Sequence, residues 1–146
     1  MSDTPSRTVV ELRVRYPETD QMGVVYHANY LAWCDMGRTE LIRGLGKSYA
    51  ELEREGLILA VSDVSLRYHA SARYDDLVRV ETWVEEARSR AITFAYLISR
   101  VEGRGGPQKL VSAKVTLIAL TPGGATRKLP PEMLAALKAA IPPQGA

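Results

Sequence analysis

Asp20 is the residue of this chain whose type and position are best suited to chemistry. It lies on a short segment that contains Gly23, between an alternating stretch at residues 8–16 and the longest helical pattern, at residues 28–45. The first N–H groups of a helix have no backbone partner and lie at the positive end of the helix dipole. A carboxylate beside them can act as a base or nucleophile while they polarise a carbonyl oxygen.

The elements on either side of Asp20 must hold it in place. Apolar and polar residues alternate over residues 8–16, which is typical of a half-buried strand. Pro17 ends that strand because it has no backbone N–H. Apolar residues then recur at helical spacing over residues 28–45, and a shorter helix is predicted over residues 47–55.

Four further strands are predicted, each with apolar residues at alternate positions. The four sets are Ile58, Ala60, Val64, Leu66 and Tyr68; Val78, Val80, Thr82 and Val84; Ile92, Phe94, Tyr96 and Ile98; and Val111, Ala113, Val115, Leu117 and Ala119. Short connections between consecutive strands require antiparallel neighbours, since a parallel crossover needs a dozen or more residues. A final helix is predicted over residues 130–141.

These elements predict an α+β fold in which a five-stranded antiparallel sheet wraps around the long helix. A chain of 146 residues, 46% of them hydrophobic, fits a single core, so one domain is expected over residues 8–141. Residues 1–7 and 142–146 are expected to be flexible termini. The free backbone groups at the edges of such a sheet favour pairing with a second copy across a two-fold axis.

Composition excludes several classes of protein. The net charge of +2 is too small to indicate a nucleic-acid surface. The single cysteine, Cys34, rules out an intrachain disulfide and a Cys-X-X-Cys metal site, which favours a reducing cytoplasm. No apolar run approaches the ~20 residues that span a bilayer, and the polar start lacks a signal-peptide core. We therefore expect a cytoplasmic protein without integral membrane association.

Two segments carry a resemblance to a known family. They are the run Asp20-Gln21-Met22-Gly23-Val24-Val25-Tyr26-His27-Ala28-Asn29-Tyr30-Leu31 and the triplet Arg38-Thr39-Glu40. Both resemble the signature of hotdog-fold acyl-CoA thioesterases of the YbgC and 4-hydroxybenzoyl-CoA thioesterase type. Tyr68, Ala72, the run Tyr74-Asp75-Asp76-Leu77, the run Val80-Glu81-Thr82 and the pair Leu129-Pro130 extend the similarity over residues 8–131.

The resemblance implies a role for each matching residue of the segment. Asp20 matches the catalytic aspartate, as nucleophile or as the base that activates water, and both roles stay open. Backbone N–H groups from Tyr26 to Ala28 would hold the thioester oxygen. His27 matches a histidine that positions the acyl group or the attacking water, and Tyr16 matches a tyrosine near the same site.

The substrate-binding segment implied by the resemblance also includes Gly23, Val25 and Asn29. A thioester needs no metal and no separate cofactor, because thiolate is a good leaving group and a placed carboxylate with charge stabilisation can suffice. Coenzyme A is part of the substrate. The length and chemistry of its acyl group, whether aromatic, short or long, stay open.

Several of these residues also have purely structural interpretations. Asp20 is suited to cap a turn, and Asn29 to bind nearby N–H groups. His27 can orient the turn, Tyr16 continues the apolar pattern of the first strand, and Cys34 falls on the apolar helix face as buried filler. Two helix carboxylates, Asp35 and Glu40, are alternative acids; Glu40 stands near Arg38 and Arg43, which favours an ion pair.

Basic residues are needed for the phosphates of coenzyme A. Arg88 and Arg90 flank the predicted turn between the third and fourth strands, and Lys128 precedes the last helix. We select these three over Arg67, Arg73 and Arg127. Since the family's pantetheine tunnel lies between subunits, these contacts are expected to come from the chain that does not supply Asp20.

The sequence thus predicts a homodimeric acyl-CoA thioesterase, or a dimer of such dimers, that releases a carboxylic acid and free coenzyme A. An acyl-carrier-protein thioesterase is the alternative within enzymology. A non-hydrolytic acyl-CoA-binding module is the alternative outside it. A hotdog dehydratase is disfavoured, because its characteristic histidine and paired acid are not evident.

Overall fold

A computed structural model describes residues 7–143, so residues 1–6 and 144–146 of the predicted flexible termini lie outside the described residues. The elements in chain order are β1 (Thr8–Arg13), a 3-10 turn (Tyr16–Glu18), α1 (Asn29–Gly44), α2 (Tyr49–Arg54), β2 (Ile58–Tyr68), β3 (Leu77–Ala87), β4 (Ala91–Glu102), β5 (Gln108–Leu120) and α3 (Pro131–Ala139). Among these residues, no helix combines the length and apolar character that crossing a membrane requires.

The strands form one antiparallel sheet in the order β1-β3-β4-β5-β2. The alternation predicted for β3, β4 and β5 is confirmed, since their apolar sets are buried on the face that meets α1. The predicted α+β fold, a five-stranded sheet around a long helix, is confirmed.

The inward face of α1 repeats at three- and four-residue spacing, as a core-facing helix must. It consists of Tyr30, Trp33, Cys34, Gly37, Arg38, Leu41 and Ile42, all buried. Gly37 allows the close approach to β3, because a Cβ placed there would collide with Thr82 Oγ1. α1 is therefore held tightly against the sheet, and its first turn has a fixed position.

Arg38 is buried on this face although it is charged. Its guanidinium donates to the hydroxyls of Tyr49, at 2.9 Å, and Tyr96, at 3.3 Å, and to Asp35 Oδ1 at 2.6 Å. One side chain thus connects α1 to α2 and β4. The apolar pattern of α1 did not predict this connection.

The strand predicted over residues 8–16 is shorter than expected. β1 ends at Arg13, and Tyr16 begins the 3-10 turn, in which Pro17 occupies a first-turn position that needs no N–H donor. Tyr16 is 74% exposed, so its interpretation as a core residue of the strand was wrong. Its ring packs edge-on against Tyr74, with centroids 5.8 Å apart.

β2 departs from the single alternating pattern predicted for it. Its register against β5 shifts between Val61 and Asp63, as expected of a β-bulge that inserts one extra residue. Leu59 pairs with Ala119 and Val64 with Val115, whose β5 face is buried, so the inward positions change parity at the bulge. The expectation that Ile58 and Ala60 share a face with Val64, Leu66 and Tyr68 was therefore wrong.

Candidate active site

A short hairpin places Asp20 in front of α1. Thr19 and Val25 form an antiparallel bridge, the Asp20 N–H donates to Val24 O at 2.8 Å, and the Gly23 N–H donates to Asp20 O at 3.0 Å. Gly23 has φ +82, the left-handed conformation that closes a three-residue hairpin loop. Asp20 thus occupies the first position of the turn, where aspartate is favoured.

The carboxylate of Asp20 is oriented by the turn itself. Oδ1 accepts the Met22 N–H at 2.8 Å and the Val24 N–H at 3.4 Å. Oδ2 has no hydrogen-bond donor among residues 7–143. The turn interpretation and the catalytic interpretation are compatible, because one oxygen binds the turn while the other has no donor among the described residues.

The return strand of the hairpin is joined to the loop between β2 and β3. The Val25 N–H donates to Ala72 O at 2.9 Å, and Val24 bridges Arg73. The side chain of Val25, predicted to bind substrate, is 3% exposed and lies in the core. Val25 therefore contributes through its backbone and packing.

A buried ion pair holds that loop. Arg100 Nη1 lies 3.6 Å from Asp76 Oδ2, and both side chains are almost fully buried. Asp76 accepts the N–H groups of Arg73 and Arg104, and Arg100 donates to Ser71 O. The loop under the hairpin is consequently connected to the turn between β4 and β5.

The start of α1 offers two free backbone donors. The Tyr26 N–H donates to Glu18 O at 2.9 Å, so this amide is occupied. The N–H groups of His27 and Ala28 have no acceptor among residues 7–143. Of the three amides predicted from Tyr26 to Ala28, the last two are available to a bound carbonyl oxygen.

Aromatic side chains surround these amides. Tyr68 donates its hydroxyl to His27 O at 3.1 Å, and its ring lies 6.4 Å from that of His27 and 5.8 Å from that of Tyr30. The rings of Tyr26 and His27 lie 4.5 Å apart, and both residues are exposed. Burial raises the pKa of Tyr30, whose hydroxyl accepts the Ala72 N–H at 2.9 Å.

Asn29 is the first residue of α1 and has a structural contact. Its Nδ2 donates to Glu18 O at 2.8 Å. The Glu18 carboxylate accepts the Arg15 N–H at 2.8 Å and Trp33 Nε1 at 2.9 Å. Sequence reasoning missed Glu18; the one local signal was its position three residues after Arg15, which suits a capping carboxylate at the start of a turn.

The predicted phosphate-binding residues are brought together at a different place. Arg88 and Arg90 lie in the turn between β3 and β4, and the Leu129 N–H donates to the intervening Ser89 O at 2.8 Å, which places Lys128 beside the turn. This is the end of the sheet opposite Asp20. The 11 residues of β3 that separate the two ends span ~35 Å.

The remaining candidates have structural surroundings. Burial raises the pKa of the Cys34 thiol to about 12, which disfavours a thiolate and agrees with buried filler. Asp35 pairs with Arg38, and Glu40 pairs with Arg43, as predicted for Glu40. Within residues 7–143, no group of three or more His, Cys, Asp or Glu side chains is placed to hold a metal ion.

Comparison with known proteins assigns the family. Residues 22–106 match the thioesterase superfamily. YneP of Bacillus subtilis is 42% identical over 93 residues, 64% of this chain and 67% of YneP. The acyl-CoA thioesterase YbgC of Haemophilus influenzae is 39% identical over 90 residues, 61% of this chain and 66% of that protein. The crystal structure of DHNA-CoA thioesterase from Staphylococcus aureus is 31% identical and superimposes with a TM-score of 0.84 over 91% of this chain and 89% of that one.

The fold and these matches define an enzyme of the thioester hydrolase class with the hotdog fold. The chain belongs to the thioesterase superfamily, and the resemblance read from residues 20–31 is confirmed.

Proposed function

We propose that the chain hydrolyses acyl-CoA thioesters to a carboxylic acid and free coenzyme A, with Asp20 as the catalytic carboxylate. The observation that carries the assignment is the hairpin: it presents an oriented carboxylate and leads directly into the unoccupied amides of His27 and Ala28. The activity named for YbgC supports the substrate class.

The chemistry requires charge stabilisation at the thioester oxygen. As Asp20, or a water that it deprotonates, attacks the carbonyl carbon, negative charge develops on the oxygen, and two free N–H groups at the positive end of α1 can receive it. The thiolate of coenzyme A then leaves. If Asp20 is the base, it takes the proton of the attacking water, whose oxygen remains in the product acid. If Asp20 is the nucleophile, departure of the thiolate leaves an acyl anhydride on Asp20, which water hydrolyses to the product acid and the free carboxylate.

His27 has a positioning role in this scheme. Its backbone N–H is one of the two groups that can donate to the thioester oxygen. Its carbonyl oxygen accepts a hydrogen bond from the Tyr68 hydroxyl, which fixes it. The exposed rings of His27, Tyr26 and Tyr68 offer apolar faces to an acyl group or the pantetheine arm. Gly23 closes the turn, while the ring of Tyr16 packs against that of Tyr74.

Arg88, Arg90 and Lys128 are proposed to bind the phosphates of coenzyme A from a second copy. In one protomer they lie a sheet length away from Asp20. β2 is an edge strand that pairs only with β5 among the described strands, and Val61, Val64 and Tyr68 on it are 51%, 42% and 49% exposed. Antiparallel pairing of two β2 edges would bring the basic end of one protomer to the Asp20 end of the other.

The proposed assembly is therefore a homodimer, or a dimer of dimers, acting in the cytoplasm. The lone buried Cys34 is compatible with a reducing compartment. Sedimentation equilibrium measures the assembly directly; a monomer that is fully active would contradict the shared site.

The test of the activity is thiol release from a panel of acyl-CoA thioesters by the wild type and Asp20→Asn. The amide keeps the turn acceptor for Met22 but removes the charge, so kcat should fall by more than ~10²-fold, with an unchanged unfolding temperature. Retention of the full rate by Asp20→Asn excludes the mechanism. Turnover of acyl-carrier-protein thioesters alone would favour that substrate, and binding without turnover would identify a non-hydrolytic module.

A further inference from the structure

Glu18 connects the hairpin of Asp20 to the first two turns of α1. Its carboxylate accepts the Arg15 N–H at 2.8 Å through Oε1 and the Trp33 indole N–H at 2.9 Å through Oε2. Its backbone carbonyl accepts the Tyr26 N–H and Asn29 Nδ2, at 2.9 and 2.8 Å. One residue therefore binds four donors from three segments of the chain.

The carboxylate of Glu18 is directed into the protein. Its side chain is 12% exposed, and each oxygen accepts a donor from the chain. Arg15 Nε lies 3.5 Å from Oε1, and the arginine side chain is 76% exposed, so it shields one side. Because both oxygens bind donors of the chain and little of the side chain is exposed, the carboxylate is suited to hold other residues in place.

The helix residues that Glu18 binds are four apart. Asn29 and Trp33 stand one turn apart on the same face of α1. Trp33 is 1% exposed and fixed in the core, where its ring packs edge-on against Tyr30 at 5.0 Å. Through Trp33, the position of Glu18 is set by the core of the protein.

The carbonyl of Glu18 also determines which amides are free. It occupies the Tyr26 N–H, and the next two N–H groups, those of His27 and Ala28, remain without an acceptor among residues 7–143. Glu18 is two residues before Asp20 on the same strand of the hairpin, and it faces Tyr26 on the return strand. It thus joins the strand that carries Asp20 to the segment that carries the free amides.

We propose that Glu18 is a positioning residue for thioester hydrolysis, which sets the carboxylate of Asp20 relative to the free amides at the start of α1. The inference rests on the proposed function, because it assigns those two groups to one reaction. Misplacement by about 1 Å at a reacting centre can cost 10²-fold in rate. Binding of the remote phosphates does not depend on this geometry, so the defect belongs in kcat.

The experiment compares Glu18→Gln, Trp33→Phe and the double variant with a matched control, Glu11→Gln. Glu11 is an exposed carboxylate on β1 that pairs with Arg79 at 2.9 Å and makes no hydrogen bond to the hairpin among the described residues. In Glu18→Gln the new side-chain amide has a single acceptor oxygen, so it can satisfy one of the two N–H donors but not both. We expect kcat to fall about 10- to 100-fold in either single variant, with KM within about twofold and no further loss in the double variant.

A second measurement does not depend on activity. The chain has two tryptophans, so a Trp83→Phe background leaves Trp33 as the single indole. In that background Glu18→Gln should shift the Trp33 emission, and amide hydrogen exchange should accelerate over residues 20–28, while Glu11→Gln changes neither. Unchanged emission and exchange overturn the positioning role even if the enzyme has another activity.

The outcomes separate this inference from the proposed function. If the wild type turns over and Asp20→Asn is inactive, but Glu18→Gln keeps full kcat and only melts at a lower temperature, Glu18 is structural and the inference is wrong. A change confined to KM also contradicts it. If Asp20→Asn keeps full activity, the proposed function itself fails, and the emission and exchange results decide whether Glu18 still fixes the hairpin.

Discussion

The two ends of the sheet are built in opposite ways. At the Asp20 end, a buried pair of Asp76 and Arg100 supports the loop under the hairpin, and Glu18 connects the hairpin to α1. At the other end, Arg88 lies in an exposed turn, 3.4 Å from Glu86, with side chains 62% and 57% exposed. The difference matches the role proposed for each end, because attack on a carbonyl needs fixed atoms whereas phosphate attraction needs charge.

The largest effect should come from breaking the buried pair. Arg100→Met leaves Asp76 buried without its cation, which should reduce the free energy of unfolding by about 3–5 kcal/mol. The matched change at the other end, Arg88→Met, removes an exposed pair and should cost less than ~1 kcal/mol. Chemical denaturation of both variants measures the contrast, and equal losses would abolish the distinction between the two ends.

Substitutions at the end of the sheet that carries Arg88, Arg90 and Lys128 should change substrate binding and leave the chemical step unaffected. The double variant Arg88→Ala/Arg90→Ala loses charge-assisted contacts to phosphate, so KM for an acyl-CoA should rise about tenfold or more, with kcat nearly unchanged. The effect should shrink at high salt, since these side chains are exposed. An unchanged KM at low ionic strength would remove these arginines from the proposed site.

Mixing variants tests whether the two ends meet across subunits. A hybrid dimer of Asp20→Asn with Arg88→Ala/Arg90→Ala has one site with both defects and one site with neither, if the phosphates are bound in trans. Subunit exchange should then raise the rate at low substrate above the mean of the two parents. If each protomer binds its own substrate in full, no gain will appear.

A smaller effect is expected at alkaline pH. Burial raises the pKa of Tyr30 at the Asp20 end, and that of Cys34 from 9.0 to about 12. The unfolded chain therefore releases these protons first, so the contribution of Tyr30 and Cys34 to stability is constant below pH 9 and falls as the pH rises from 9 to 12. Thermal unfolding measures this, and Cys34→Ala should give a shallower slope; identical slopes would show that Cys34 does not titrate this way.

The sequence predicted the strands and their buried positions well where one face of the strand is more exposed to solvent than the other. The alternation in β3, β4 and β5 reports burial directly, because successive side chains point to opposite faces. It failed at β2, where the bulge between Val61 and Asp63 changes parity without any change in composition. It failed at Tyr16 because the alternation continues by chance into the 3-10 turn that Tyr16 begins.

The proposed site was predictable where it is local. Asp20 and Gly23 form one turn within a few residues, and the motif placed them. Glu18 was missed because its partners Asn29 and Trp33 lie 11 and 15 residues away, and the indole contact exists only after α1 has packed on the sheet. The sequence pattern could not distinguish the bonded backbone N–H of Tyr26 from the free ones of His27 and Ala28. A backbone hydrogen bond between an N–H and a carbonyl does not favour any particular residue type.

Because Thr19 and Val25 are bridged, the number of residues that follow the turn determines which N–H groups are bonded and which are free. Along the return strand the Val25 N–H donates to Ala72 O, the Tyr26 N–H donates to Glu18 O, and the next two N–H groups have no acceptor in the part of the chain that the structure describes. An insertion of one residue after the turn would shift the bonded and free N–H groups by one position along the chain, without changing any side chain of the motif. In this chain the site thus depends on a length as well as on a set of residues, and such an insertion should inactivate the enzyme while leaving the sheet intact.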